Sequence, residues 1–246
     1  MRSPSLTATE ARRALKRMAR PAGDFDASRY FRGDHKLGFY NVGTGAMRAL
    51  ARSIHAAHAH EWSIDEAMEF ADRSIVDRYL DVKSVGIEVV ARYRRYFSPR
   101  LLPMWKRWLA EGHSANWATT DSICGTLIGP LLVAHPALAA RMRSWARDPN
   151  MWVRRAAAVS LIPSVRKGFA PDLAYDVAKS LHGDEEDLIQ KAVGWMLRDA
   201  GKRDPARLER YLRENGPAIP RTTVRYAIER FSEGPRVELL RSTRKK

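Results

Sequence analysis

Trp117 and Asp121 stand four residues apart in the run Asn116-Trp117-Ala118-Thr119-Thr120-Asp121. A second indole, Trp195, closes the run Lys191-Ala192-Val193-Gly194-Trp195. If the first run is helical, its indole and carboxylate lie one above the other, because residues four apart are neighbours on an α-helix. An ionised carboxylate stabilises positive charge that develops in a transition state, and an indole face attracts a cation by about 0.5–2 kcal/mol. Taken singly, Asp121 reads as a surface acid or an arginine's partner, and each tryptophan reads as packing. Their coincidence in a chain with 43 Lys and Arg against 28 Asp and Glu, net charge +15, points instead to a cationic base attached to a polyanion. Neutralised phosphates release counterions and give affinity without any base contact, so the charge excess favours nucleic acid.

Other chemistries find little support. His55, His58 and His60 cluster, but no carboxylate stands at His-Glu-x-x-His spacing, and no metal site is expected. The Gly-rich segment from Gly33 to Gly45 lacks the spacing and the Lys-Ser/Thr of a phosphate loop, and no Gly-x-Ser-x-Gly elbow occurs. The one cysteine, Cys124, lies among apolar residues. It reads as a packed thiol and excludes an internal disulfide or a cysteine-rich zinc site. With no apolar h-region and no apolar run of membrane length, the expected protein is soluble and intracellular, cytoplasmic and associated with the nucleoid.

The elements that must position these residues read as helices. Ile87, Val90 and Ala91, then Leu127, Leu131 and Leu132, then Val153, Ala157 and Leu161 recur at three- and four-residue steps. Ser63-Ile64-Asp65-Glu66 is a capping box, Asp204-Pro205 a cap with proline at the first helical position, and Gly216-Pro217 a stop signal. No run alternates with period two, so the fold class is all-α.

The helical segments also repeat. Met151-Trp152-Val153-Arg154-Arg155-Ala156-Ala157 superposes on Asp187-Leu188-Ile189-Gln190-Lys191-Ala192-Val193 at a shift of 36 residues. Leu80-Asp81-Val82-Lys83-Ser84-Val85-Gly86 lies 71 residues before the first of these, and Ala115–Asp121 fills the missing place. Helix pairs at this period predict a HEAT-like solenoid in which small residues let layers approach and inner helices line a concave basic face. The expected organisation is one repeat domain over 1–240, with residues 1–45 as an N-terminal helical cap and 241–246 as a basic, disordered tail. Within the cap, a basic helix over Glu10–Arg20 is broken by Pro21-Ala22-Gly23-Asp24.

Asn116-Trp117-x-x-x-Asp121, Asn150-Met-Trp-Val-Arg-Arg-Ala-Ala-Ala-Val-Ser-Leu161 and Gln190-Lys-Ala-Val-Gly-Trp-Met-Leu-Arg198 resemble the motifs of the alkylpurine DNA glycosylases of the AlkD family. The resemblance runs from about Tyr30 to Phe231, in the same order and with nearly the same spacing. It implies a monofunctional glycosylase that removes N3- and N7-alkylated purines from double-stranded DNA, acting as a monomer and without cofactor. It also implies that Trp117, Asp121 and Trp195 carry the chemistry within one hollow, while a basic residue matching Arg155 holds the lesion-bearing backbone. Arg154, Lys191, Arg198 and Arg225 are further candidate phosphate contacts. Ala118, Thr119 and Thr120 depart from the family's usual residues, changes that bear on lesion range and leave the three key groups intact.

The chemistry is coherent on its own terms. An N3- or N7-alkylpurine already carries positive charge, so it leaves without a general acid. The sugar left behind gains oxocarbenium character that one carboxylate can stabilise. In the resembled family the lesion stays stacked in the duplex, in contrast to enzymes that extrude the base. The alternative reading is a non-catalytic HEAT-repeat protein that binds distorted or branched DNA or RNA through the same basic face. A protein–protein scaffold is disfavoured by an acid flanked by indoles on so cationic a chain.

Overall fold

A computed structural model describes residues 3–23, 31 and 37–244. These residues fall into two compact units, Met1–Leu127 and Ile128–Lys246. The fold is all-α. Among the described residues no strand forms, and an isolated parallel bridge joins Gly38 to Tyr79.

The first unit contains α1 (Pro4–Arg17), α2 (Thr44–His58), α3 (Ile64–Ile75), α4 (Leu80–Ala91), α5 (Leu101–Ala110) and α6 (Trp117–Ile123). Ser3 caps α1 by accepting from the Leu6 amide, and Pro4 occupies the first turn, so the helix starts six residues before the expected Glu10 and ends at Arg17. The Ser3-Pro4 pair carries that signal in the sequence. The capping box at Ser63 and Glu66 forms as read and starts α3. Helices α3 and α4 pack together, with α1 and α2 against them. Trp105 and Trp108 of α5 are fully buried, and the Trp108 Nε1–H donates to Asp72 Oδ1 at 2.6 Å, satisfying the polar end of a large apolar ring.

The second unit contains α7 (Gly129–Ala134), α8 (Met142–Trp145), α9 (Met151–Val159), α10 (Ile162–Arg166), α11 (Pro171–Ser180), α12 (Asp187–Gly201), α13 (Pro205–Asn215), α14 (Arg221–Ala227) and α15 (Glu233–Ser242). Helix α12 is its centre and packs on α9, α10, α11, α13 and α14. Asp204 caps α13 by accepting from the Arg207 amide, as its sequence predicts. The C-terminal segment departs from expectation. Arg241 and Ser242 belong to α15, and Thr243 is buried with its hydroxyl on the Leu239 carbonyl and under the Arg221 guanidinium. Lys245 and Lys246, like Asp24, Tyr30 and Gly33, lie outside the described residues.

A register runs through both units. Helices begin at Thr44, Leu80, Trp117, Met151, Asp187 and Arg221, with successive starts 34–37 residues apart. In the last five, the third residue is buried: Val82, Thr119, Val153, Ile189 and Thr223. So is the seventh, Gly86, Ile123, Ala157, Val193 and Ala227, one turn further along the same face. Burying that strip accounts for the small apolar residues in the repeat. Arginine–carboxylate pairs tie helices at about the same sequence distance. In the first unit Arg48 pairs with Glu88 and Arg107 with Asp72; in the second Arg143 pairs with Asp176, Arg154 with Asp184 and Arg166 with Asp199. Exposed pairs contribute at most about 1 kcal/mol each. Asp184 and Asp199 are buried acids, and for them the partner is a requirement.

Candidate functional site

In the first unit the sequence places Trp117 and Asp121 by fixing the other side of their helix. Asn116 is buried and its side-chain oxygen accepts from the Thr119 amide at 2.8 Å, capping α6, while its amide donates to Thr119 Oγ1 at 3.0 Å. The buried Thr120 hydroxyl donates to the Ser114 carbonyl at 2.8 Å. These bonds pin Thr119 and Thr120 inward. Trp117 and Asp121, first and fifth in α6, share the opposite side and are both half-buried. After Ile123 the chain enters a π-helical turn, Cys124–Ile128, just ahead of Pro130, which has no N–H to continue an α-helical ladder. The Cys124 thiol is buried there, as its apolar neighbours predict.

Counting from each helix start shows what is unusual about Asp121. The fifth residue is Arg48 in α2, Ser84 in α4, Arg155 in α9, Lys191 in α12 and Arg225 in α14; in α6 it is an acid. Trp195 is the ninth residue of α12, so it does not occupy the same register position as Trp117, the first residue of α6. It lies on the same helical side two turns on, in line with Asp187 and Lys191 of its own helix. Its placement has a steric cause. A Cβ on Gly194 would come within 2.4 Å of the Tyr226 Cβ and 2.7 Å of the Thr223 carbonyl, so the glycine lets α14 approach α12 and Trp195 sits beside that contact, half-buried.

The candidate phosphate contacts differ sharply from one another. Arg155 is 5 % exposed and donates to the Leu188 carbonyl. Arg154 bonds Asp184 at 2.6 Å and the carbonyls of Asp148 and Pro149. Lys191 pairs with Asp187 four residues before it at 2.6 Å, and Arg198 pairs with Glu229. Arg225 is exposed and has no carboxylate partner among the described residues. Sequence spacing cannot separate these cases, because the partners of Arg154 and Arg198 lie about thirty residues away.

One aromatic was missed. The Phe31 ring stacks on Trp117, centroids 5.4 Å apart and planes 7° from parallel, and Phe39 lies 5.4 Å from Phe31. No periodicity links Phe31 to α6, so only the folded chain reveals that one indole face is already covered. Gly38 of this N-terminal segment has structural work. Gly38 exchanges backbone bonds with Arg78 and Leu80, and a Cβ there would meet the Tyr79 ring at 2.9 Å. The Asp81 carboxylate accepts from the Tyr40 and Val42 amides, tying the segment to the start of α4. His58 stacks on Trp62 and meets Glu61 at 3.3 Å; among the described residues no group of His, Cys, Asp or Glu is arranged to hold a metal ion. No described helix is long and apolar enough to cross a membrane.

An all-α repeat with a cationic surface and an acid set beside an indole describes a class of nucleic-acid-directed helical-repeat proteins. The family model of the DNA alkylation repair enzymes matches residues 11–231, and the chain belongs to that family. Membership gives it an enzyme's role in the repair of alkylation damage, with DNA as partner. A solved structure described as "Predicted DNA alkylation repair enzyme from Enterococcus faecalis" superposes with a TM-score of 0.70 at 19% identity, covering 81% of this chain and 91% of that one. That likeness establishes the shared fold. No curated protein matches the chain.

Proposed function

We propose that this family member is a monofunctional DNA glycosylase that hydrolyses the N-glycosidic bond of positively charged N3- and N7-alkylpurines in duplex DNA. The observation that carries the reading is Asp121 on the same side of α6 as Trp117, an acid in a register position that holds a cation in four other helices. The alkylated base leaves as a neutral purine, so no proton need be supplied. As the bond lengthens, positive charge moves onto the deoxyribose, and Asp121 stabilises it or holds the attacking water. Trp117 on α6 and Trp195 on α12 offer indole faces to the sugar, an attraction that grows with that charge. Because the leaving group brings its own activation, the step needs neither a metal nor an organic cofactor.

Arg155, Arg154, Lys191, Arg198 and Arg225 remain the proposed backbone contacts. Arg225 comes first among them because it is exposed and has no carboxylate to displace among the described residues. HEAT-like helix pairs hold the duplex with the lesion still stacked, so bulky alkyl groups are tolerated. The test is an excision assay on matched duplexes. Release of 7-methylguanine with little or no release of hypoxanthine, a neutral lesion without a self-activated leaving group, is the expected result. Failure to release 7-methylguanine, or equal release of both bases, sinks the proposal.

A further inference from the structure

The second unit distributes its arginines unevenly between paired and unpaired. Arg143, Arg154, Arg166, Arg198, Arg207 and Arg213 each hold a carboxylate. Arg221, Arg225 and Arg244 hold none among the described residues, as several other arginines of the unit do not, but Arg244 and Arg225 both lie close enough to Arg221 to act on its charge. Arg221 and Arg225 are four residues apart on α14 and so share one of its sides. Burial, and then the charges of Arg244 and Arg225, pull the Arg221 guanidinium below its ordinary pKa. It stays protonated nonetheless, since an arginine does not lose its charge in a protein. Three like charges gathered without an acid are an unfavourable arrangement that a bound anion would relieve.

The cluster borders a cavity of ≈ 560 Å³ lined by His182, Ile219, Pro220, Arg221, Thr243 and Arg244. Arg221 is held in place there by donating from Nη1 to the buried Thr243 hydroxyl at 2.9 Å, which leaves the rest of its fork available. Across the lining, the Tyr211 hydroxyl meets His182 Nε2 at 2.7 Å. Burial raises the Tyr211 pKa far out of reach, so the phenol keeps its proton and donates it. Burial, with Lys179, lowers His182 to about 4, so the ring is neutral at physiological pH. A neutral imidazole that accepts at Nε2 carries its remaining N–H at Nδ1, one more donor on the lining residue.

We infer that Arg221 and Arg244, which line the cavity, form with Arg225 beside them a phosphate-binding site that takes a backbone phosphodiester of DNA. Planar guanidinium forks suit the paired oxygens of a phosphate, and the cavity is far larger than a bare ion needs, leaving room for the attached sugar. The inference rests on DNA being the partner. It does not require excision.

The test is the salt dependence of binding to an undamaged duplex between about 50 and 200 mM salt, followed by fluorescence anisotropy. Each phosphate contact contributes about 0.9 to the slope of log Kd against log salt. Arg221→Gln should therefore lower the slope by about 0.9, and Arg221→Lys, which keeps the charge, should retain most of it. Arg244→Gln, an exposed change that leaves the Arg221–Thr243 bond intact, should also lower the slope and guards against a folding artefact in Arg221→Gln. Inorganic phosphate, compared with chloride at equal ionic strength, distinguishes a free anion from the backbone. An unchanged slope in both glutamine variants overturns the proposal, whether or not phosphate raises the melting temperature. Excision is not read here, so the glycosylase reading stands or falls separately.

Discussion

Helices α6 and α12 each present an indole, and they do so by opposite means. In α6 the position of Trp117 is set by polar bonds: Asn116 caps the helix, and the Thr119 and Thr120 hydroxyls tie its back to the chain before it. In α12 no side chain caps the N-terminus, and Trp195 is set by steric approach, because Gly194 admits α14 against the helix. Polar pinning tolerates changes in packing volume but not the loss of an acceptor. Steric pinning tolerates the reverse.

Four substitutions would break or sharpen this contrast. The largest effect should come from Asp121→Asn, which keeps the shape of α6 and removes its charge. 7-Methylguanine release should fall by about 10²–10³-fold with duplex affinity retained, a size typical of removing one preorganised electrostatic group. An unchanged release rate would show that the acid in the cationic slot is structural. Gly194→Ala should cost about 1–3 kcal/mol in urea unfolding, because neither Tyr226 Cβ nor the Thr223 carbonyl can yield easily. A neutral outcome would mean that Trp195 is not held by that approach.

Asp199, on the same helix, tests the polar side of α12. Burial alone would raise its pKa, but hydrogen bonds from Arg166 and Lys202, and their charges, hold it below the ordinary 3.8. Its contribution is complete above pH 3.8 and is lost as pH falls through the lower folded-state value. Asp199→Asn should therefore cost about 1.5–3 kcal/mol at neutral pH and progressively less in acid. A penalty that stays constant down to pH 2 would count against the ion pairs as its cause. Asn116→Ala should have the smallest effect, about 1 kcal/mol, the usual value of a helix cap. Measured alongside Gly194→Ala, it would show whether polar or steric placement governs each indole.

Local chemistry made much of the fold legible. The Ser63–Glu66 box and the Asp204-Pro205 cap are complete within four residues, and both begin helices where the sequence places them. The repeat was readable because the third and seventh residues of its last five register helices are buried, and burial selects Val, Ile, Thr, Ala or Gly. Contacts that close over long stretches were not readable. The stacking of Phe31 on Trp117, the carboxylates that occupy Arg154 and Arg198, and the hydroxyl that draws Thr243 into the second unit leave no local trace. The site was legible to the same limit: a shared side for Trp117 and Asp121 follows from spacing, while the register that makes Asp121 exceptional requires the true helix starts.

The arginine ties set about one repeat apart also govern how the chain responds to losing a piece. In the second unit a guanidinium draws its counter-charge from an adjacent helix pair, as Arg154 does from Asp184 and Arg198 from Glu229. Excising one pair would strand charges on both sides of the cut, including acids with no water to turn to. Neighbouring layers should therefore unfold with coupled transitions, because each leaves charges that only the next one neutralises.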